Sequence, residues 1–378
     1  MKKYYKLLSV LTVIVTIGIA CTNLEPEEEY TPISPVQVDL TLVPYPVLSD
    51  YHFFDGDMKN QIPALNVLPY KPASSLFSDY AHKKRFVWMP PGVSATYNTD
   101  STVLELPVGA VLIKTFYYDN VQNVTPVGAT RIVETRLMIR KATGWIFANY
   151  VWNAAQTEAY YDLAGSFTPI TFIDENNVER SVNYRIPSDA QCIVCHKKRE
   201  VINNVPVETY VPIGIKPQNL NNGAFSSSTA RNQLSKWIEQ GYLQGNFTYP
   251  SIANSTIDYE DTSKPILLRA RSYVDINCAH CHQDNRHCDY RPMRFAFTET
   301  ANNPTNMGVC VDTQDMQDFP AALSKIVTPG NINRSMMYYR LNTTDEAIRM
   351  PLHGRTIIHD EGIALIQAWI NSLSGPCN

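Results

Sequence analysis

The stretch RIVETRLMIR, residues 131–140, alternates apolar and polar side chains with the period of a half-buried β-strand. Residues 108–118 before it are rich in β-branched and aromatic side chains and predict a second strand. Gly144 after it predicts a turn, and the aromatic run at 145–152 predicts a third strand. We therefore expect residues 45–186 to form an antiparallel β-rich domain, either a sandwich or a barrel.

The pattern Cys-x-x-Cys-His occurs twice in this chain. Its members are Cys192, Cys195 and His196 in the first copy and Cys278, Cys281 and His282 in the second. Two thiols at this spacing can meet the two vinyl groups of a porphyrin, and the histidine after them can reach the iron from the same face. A structural zinc site needs four ligands, and a thioredoxin-like dithiol needs no trailing histidine. We therefore predict two covalently bound c-type haems, with zinc and redox dithiols as the alternatives.

Each motif is followed by a predicted helix that contains Trp-Ile. In the first, Leu234 and Trp237 recur at helical spacing, after candidate N-cap residues at 226–229. In the second, Asp360 is a candidate cap, and Gly375 follows the apolar face. The sequence therefore predicts an α+β multidomain fold, in which the N-terminal antiparallel β domain precedes two small all-α cytochrome c-like domains at 187–260 and 261–378.

A methionine before proline is the expected sixth ligand of the second haem. Met350 cannot lie inside a continuing helix because Pro351 follows it. A loop of this kind suits a side chain directed at iron, and thioether ligation raises the reduction potential. The rival ligands are His353 and His359. Met336 and Met337 are expected to be core residues.

The sixth ligand of the first haem is not apparent near its motif. Neither methionine nor histidine occurs between Lys197 and Asn277. The β-rich domain could supply a ligand, a lysine such as Lys197 or Lys198 could serve, or the iron could be five-coordinate and open to a small molecule. The candidates within the β-rich domain are Met89, His82, His52, Met58 and Met138.

The N-terminus resembles a bacterial lipoprotein signal. Lys2, Lys3 and Lys6 precede an apolar run that ends at Cys21, so residues 1–20 are expected to be removed and Cys21 to carry lipid. Residues 21–44 begin with an acidic run that predicts a solvated tether. We therefore expect an exported chain, lipid-anchored to the outer membrane at its periplasmic face or at the cell surface. Removal of the three lysines changes the formal charge from -4 to -7, which argues against a nucleic-acid partner.

Three further cysteines remain outside the motifs. Cys288 and Cys310 could close a disulfide in the second haem domain, because an exported chain meets an oxidising environment. Cys377 would then be free, or would pair with one of these two instead.

The chain resembles a family of exported dihaem c-type cytochromes, mostly conserved lipoproteins of Gram-negative bacteria. The stretches that carry the resemblance are 76–81, 187–196, 212–221, 275–282 and 329–370. It implies haem at both motifs, axial His196 and His282, and Met350 on the second iron, but no known substrate. A weaker similarity links residues 106–114 and the nearby first motif to the cytochrome P460 layout, in which a five-coordinate haem oxidises small nitrogen compounds.

Three functions are compatible with these patterns. The first is an electron carrier that exchanges electrons with unidentified redox partner proteins. The second is a haem enzyme, peroxidase-like or P460-like, whose open first haem receives electrons from the second. The third is a binding module, in which the β-rich domain recognises a partner. That domain shows no catalytic signature, and Asp79 and Glu134 are expected to face water.

Overall fold

An antiparallel sheet is the largest element of the computed structural model, which describes residues 32–223 and 232–377. Within these residues its eight strands are Leu68–Pro69 (β1), His82–Trp88 (β2), Val111–Val121 (β3), Ala129–Lys141 (β4), Gly144–Trp152 (β5), Ala159–Tyr161 (β6), Ser166–Ile173 (β7) and Glu179–Ile186 (β8). Strands β1 to β6 lie side by side in chain order, and β7 pairs with β3 and with β8. A separate hairpin joins Lys197–Ile202 (β9) to Val205–Tyr210 (β10).

The strand that contains residues 131–140 lies between β3 and β5. Leu137 is opposite Ile113 on one side and Ala148 on the other, and all three are buried in the same core. The alternation of the strand places Arg136 and Met138 on the other face of the sheet. The strands predicted around 108–118, 131–140 and 145–152 are confirmed as β3, β4 and β5.

The helices of the described residues are six and mostly short. They are Asp189–His196 (α1), Pro217–Leu220 (α2), Gln233–Glu239 (α3), Ile266–Asn277 (α4), Met336–Leu341 (α5) and Asp360–Ser372 (α6). Strand makes up 25% and helix 19% of the structure. The predicted fold class, with two small all-α cytochrome c-like domains after the β domain, is therefore wrong, because a large antiparallel sheet dominates.

The physical reason lies in what the helices pack against. Leu234 and Trp237 of α3 are fully buried in a cluster that includes Met138 and Trp145 of the sheet. Helical spacing identifies an apolar face but not its partner, which here is the second face of the sheet. Helices α4 and α6 share a cluster of their own, but residues 278–331 between them contain turns and isolated bridges and no helix.

From Pro35 onward the chain forms one compact unit, and the predicted boundaries at 186 and 260 fall inside it. Val36, Val38 and Leu40 of the predicted tether pack against the core beneath the sheet. The predicted signal segment, Cys21 and the candidate caps at 226–229 lie outside the described residues. No helix in the described part of the chain is long and apolar enough to cross a bilayer.

The structure pairs the remaining cysteines differently from the first expectation. A disulfide joins Cys310 to Cys377, whose Cα atoms are 5.2 Å apart. Cys288 is a buried free thiol. The predicted Cys288–Cys310 bond is therefore wrong, and the alternative in which Cys377 takes one of the two is the one observed.

Candidate functional site

Helix α1 carries the complete first motif. The backbone N–H of Ser188 donates to Gln191 Oε1 at 3.2 Å, which satisfies one donor at the helix start. Cys192, Cys195 and His196 stand at positions i, i+3 and i+4, so their side chains share one face of the helix. The helix ends where the chain enters strand β9, directly after the histidine.

His196 is held in a defined orientation. Its Nδ1 lies 2.8 Å from the carbonyl oxygen of Val211, and its ring contacts Phe147 edge to face. Donation from Nδ1–H to this carbonyl leaves Nε2 as the atom with a free lone pair. Burial lowers the pKa of His196 to about 4, so the ring is neutral at pH 7 and can act as a metal ligand.

The first motif lines a large cavity against the second face of the sheet. Cys192, Cys195 and His196 all contribute to its wall, and Lys114 and Arg136 face them from the sheet. The empty volume is about 1480 Å³, part of which is open to solvent. All three residues of the first motif therefore border one cavity beside the sheet.

The second motif has a different local structure. Helix α4 ends at Asn277, and the backbone N–H groups of Cys281 and His282 donate to the Cys278 carbonyl at 3.1 and 3.0 Å. The motif is therefore a turn that follows a helix. Asp275 of α4 fixes this position, because its buried carboxylate accepts from Lys216 Nζ at 3.0 Å.

The second cavity is enclosed mainly by apolar and sulfur-containing side chains. Its empty volume is about 830 Å³, again partly open. His282 is buried, its Nδ1 has no hydrogen-bond partner among the described residues, and burial lowers its pKa to about 4. The other members of the wall include Cys278, Cys281, Met293, Met336, Met337 and Met350.

Met350 lies on the same cavity as His282, as a sixth ligand must. Its backbone N–H donates to the Arg340 carbonyl at 2.9 Å, and its own carbonyl accepts from Arg355 Nε at 3.0 Å. Both anchors fix the chain at this residue. Met336 and Met337 were expected to be core residues, but they also line this cavity.

The rival histidines occupy distinct places. His353 lines both cavities, and its buried Nδ1 has no partner in the described part of the chain. His359 lines only the first cavity, where it stacks on Phe77 at 4.1 Å and lies 3.3 Å from Tyr273 Oη. Of the two, His353 has the freer ring nitrogen.

One of the methionines considered as a ligand of the first haem, Met138 of β4, lies in the sheet at the first cavity. Met138 lines the first cavity, whereas Met89 is buried in the neighbouring core and His82 on β2 lies against Tyr117 on β3. Lys197 and Lys198 form ion pairs in the β9–β10 hairpin. His52 directly follows the 3-10 helix Leu48–Tyr51, and Met58 begins the 3-10 helix Met58–Asn60.

The two motifs meet. The ligand atoms of Cys195, His280 and Cys281 lie within 4.8 Å of one another, although the motifs are separated by more than eighty residues. The Cys281 thiol also points at the Val194 carbonyl, at 3.7 Å. A hydrogen bond between the Cys281 and Cys195 side chains lowers the pKa of Cys195. Spacing in the sequence gives no signal for this contact, and it was not predicted.

The first cysteine of each motif does not have the low pKa of a catalytic dithiol. Burial raises the pKa of Cys192 to about 11 and that of Cys278 to about 12. A catalytic dithiol places a low-pKa, accessible thiolate at the first cysteine. In this chain it is the second cysteine of the first motif, Cys195, whose pKa is lowered.

No protein-family model, curated protein or solved structure matches the chain. The resemblance to dihaem cytochromes therefore stays a prediction, and the function is argued from the two cavities.

Proposed function

We propose that the chain is a c-type cytochrome with two covalently bound haems, one on Cys192 and Cys195 and one on Cys278 and Cys281. The observation that carries the proposal is that all three residues of the first motif line one cavity and all three of the second line another, which Cys195 also borders. When bound, each haem iron would accept and release one electron.

The residues of the chain have separate tasks in this proposal. His196 presents Nε2 to the first iron because Nδ1 is engaged by Val211. His282 and Met350, which line one cavity, would hold the second iron. Because Cys195 and Cys281 are in contact, the two haems would be attached at neighbouring points, which suits exchange of electrons between them.

Location and partners complete the proposal. Export, lipid attachment at Cys21 and an outer-membrane position would place the haems in the envelope, where redox partner proteins would exchange electrons with them. These elements rest on the N-terminal sequence.

A haem oxidoreductase is the second candidate. It is favoured by the charged wall of the first cavity, where Lys114, Arg136 and Arg185 are present, in contrast to the apolar wall of the second. An iron left open on that side would meet a polar site able to bind a small substrate, and the second haem would supply electrons.

A third candidate is a metal site without haem. Cys195, His280 and Cys281 offer two sulfur atoms and one nitrogen at close range. This ligand set suits zinc, although a closed structural site requires a fourth ligand.

One preparation distinguishes the three candidates. The full chain would be produced with and without a c-type haem maturation system, and haem, iron and zinc would be counted per chain. Two haems per chain, stable to denaturation, are expected. Two low-spin signals in electron paramagnetic resonance would support the carrier, and one high-spin signal would favour the oxidoreductase. Stoichiometric zinc without haem would overturn the proposal.

A further inference from the structure

Three polar side chains form a row across three neighbouring strands of the sheet. Lys114 on β3 is directly opposite Arg136 on β4, and Arg136 is directly opposite Asn149 on β5. All three line the first cavity. Arg85 on β2 extends the row on the far side of Lys114.

The row contains three basic side chains, and burial together with the neighbouring Arg85 and Arg136 lowers the pKa of Lys114 well below its usual value, so that a nearby anion would favour its charged form. Glu134 is its only acidic ion-pair partner within the described residues, and that carboxylate is shared between Arg136 and the Tyr184 hydroxyl, which donates at 2.6 Å. Neither Lys114 nor Arg85 forms an ion pair in the described part of the chain. Like charges directly opposite each other in a sheet are destabilising.

Buried polar atoms in the row also lack partners. Asn149 is 2% exposed, and neither its Nδ2 nor its Oδ1 has a hydrogen-bond partner among the described residues. The same holds for Arg136 Nε. A buried donor without a partner is destabilising, so a ligand that accepts from Asn149 Nδ2 and Arg136 Nε would be favoured.

We propose that Lys114, Arg136 and Asn149 form a binding site for a carboxylate or a similar small oxyanion. Side chains directly opposite on adjacent strands are about 5 Å apart at Cβ, which allows two of them to reach the two oxygens of one carboxylate. Cys192, Cys195 and His196 line the same cavity, so the anionic group is carried by the molecule attached there or is a free anion beside it.

The first source is the pair of carboxylates of a haem, and in that form the inference rests on the proposed function. The second source is a free oxyanion such as nitrite, which would act as a substrate or inhibitor. Both satisfy the same atoms, and the experiment must separate them.

The test compares Lys114→Gln with a matched control. Lys84→Gln removes one charge from β2, from the opposite face of the sheet, where its Nζ lies near the Asn60 carbonyl. In the haem-free full chain, sodium acetate at constant ionic strength is expected to raise the melting temperature. Acetate is expected to bind about tenfold or more weakly to Lys114→Gln than to the wild-type chain, and equally well to Lys84→Gln.

The haem-loaded chain identifies the source. If the haem carboxylates occupy the row, acetate no longer raises the melting temperature, and Lys114→Gln shifts the reduction potential of one haem whereas Lys84→Gln does not. If a free oxyanion is the ligand, acetate or nitrite still binds the loaded wild-type chain and perturbs one haem spectrum.

A second variant reports on the row by adding charge. Asn149→Asp supplies an internal carboxylate opposite Arg136, so it is expected to raise the melting temperature of the haem-free chain and to abolish its response to acetate. The proposal would be contradicted if Asn149→Asp had a lower melting temperature and still responded to acetate. It would also be contradicted if Lys114→Gln and Lys84→Gln gave the same results in both the haem-free and the haem-loaded chain. If no haem is found at all, the proposed function fails while the acetate titration still tests the anion site.

Discussion

The two Cys-x-x-Cys-His motifs have the same residues but different surroundings. The first occupies one face of helix α1, and charged side chains of the sheet line the same cavity. The second is a turn after helix α4, and its cavity is lined largely by methionine and other apolar side chains. In the proposed cytochrome, the motif would fix where each haem is attached, and the opposing wall would set the properties of its iron.

This difference predicts unlike redox properties. In the proposed cytochrome, methionine ligation and a mainly apolar wall would favour a higher potential for the second iron. The first iron would face a polar wall that includes Met138. Four predictions, from the largest effect to the smallest, test how far the two sites are independent.

Loss of one pair of thiols should remove one haem and leave the other. We expect Cys278→Ala/Cys281→Ala to carry one haem with the ligation of the first site, and Cys192→Ala/Cys195→Ala to carry one with methionine ligation. Intact mass and the haem content per chain measure this. Cys288→Ser is the control and should retain two haems, because Cys288 belongs to neither motif. Loss of both haems from either double variant would show that the sites do not assemble separately.

Replacement of Met350 should change one haem only. We expect Met350→Ala to lower the reduction potential of the second haem by on the order of 0.1–0.3 V, within the range that axial ligands control. Met336→Leu and Met337→Leu are matched controls, since both residues line the same cavity. A larger shift in either control than in Met350→Ala would move the ligand assignment to that methionine.

Asp79, which lies shortly before strand β2, is hydrogen-bonded to the chain segment after Met350. Its carboxylate accepts from the Thr356 N–H at 2.7 Å, the Thr356 hydroxyl at 2.9 Å and the Ile357 N–H at 3.1 Å. Asp79→Ala leaves these donors unpaired, so we expect a loss of about 2–4 kcal/mol in the free energy of unfolding. Denaturant titration measures it.

The same variant sharpens the comparison between the sites. The potential of the second haem should shift more than that of the first, because the segment held by Asp79 follows its sixth ligand. Asp79→Asn keeps one acceptor and tolerates the positive φ of 50° at this position, so it should recover part of the stability. Asp57→Asn, at a 75% exposed side chain, should have little effect.

The sequence predicted the central strands, because alternation is a local signal, whereas haem attachment at the two motifs stays a prediction. Alternation over 131–140 identifies β4, and the two motifs and Met350 do line two cavities. Helical spacing at Leu234 and Trp237 also identified α3, but it could not show that the sheet covers this helix. The error in fold class follows from that missing partner.

The polar side of the first cavity could not be predicted for a related reason. Asp79 and Glu134 were expected to face water, yet they are 2% and 0% exposed. A polar residue at every second position of a strand is typical of a solvated face. Only the strand register and the segments packed above it show that Arg136 and Asn149 point into a cavity.

The smallest predicted effect concerns the pH dependence of stability. His359 lines the first cavity and is 6% exposed, and burial lowers its pKa to about 3. The charged groups around it are Lys83, Asp360, Arg355, Arg180 and Glu361, whose carboxylate lies 3.7 Å from His359 Nε2. Below pH 6.5 the unfolded chain gains a proton at this residue that the folded chain does not, so folding stability falls as the pH decreases from about 6.5 towards 3.

Between pH 7 and pH 5 this residue should contribute a loss of roughly 1–2 kcal/mol in the free energy of unfolding. His359→Phe keeps the stacking on Phe77, which lies 4.1 Å away, and removes the proton site. We therefore expect the variant to lose less stability over this range than the wild-type chain, as measured by denaturant titration at each pH. His52→Phe is the control, because His52 is exposed and should leave the slope unchanged. An equal slope in His359→Phe and wild type would mean that His359 has the same pKa in the folded and in the unfolded chain, and would contradict the prediction that burial lowers it.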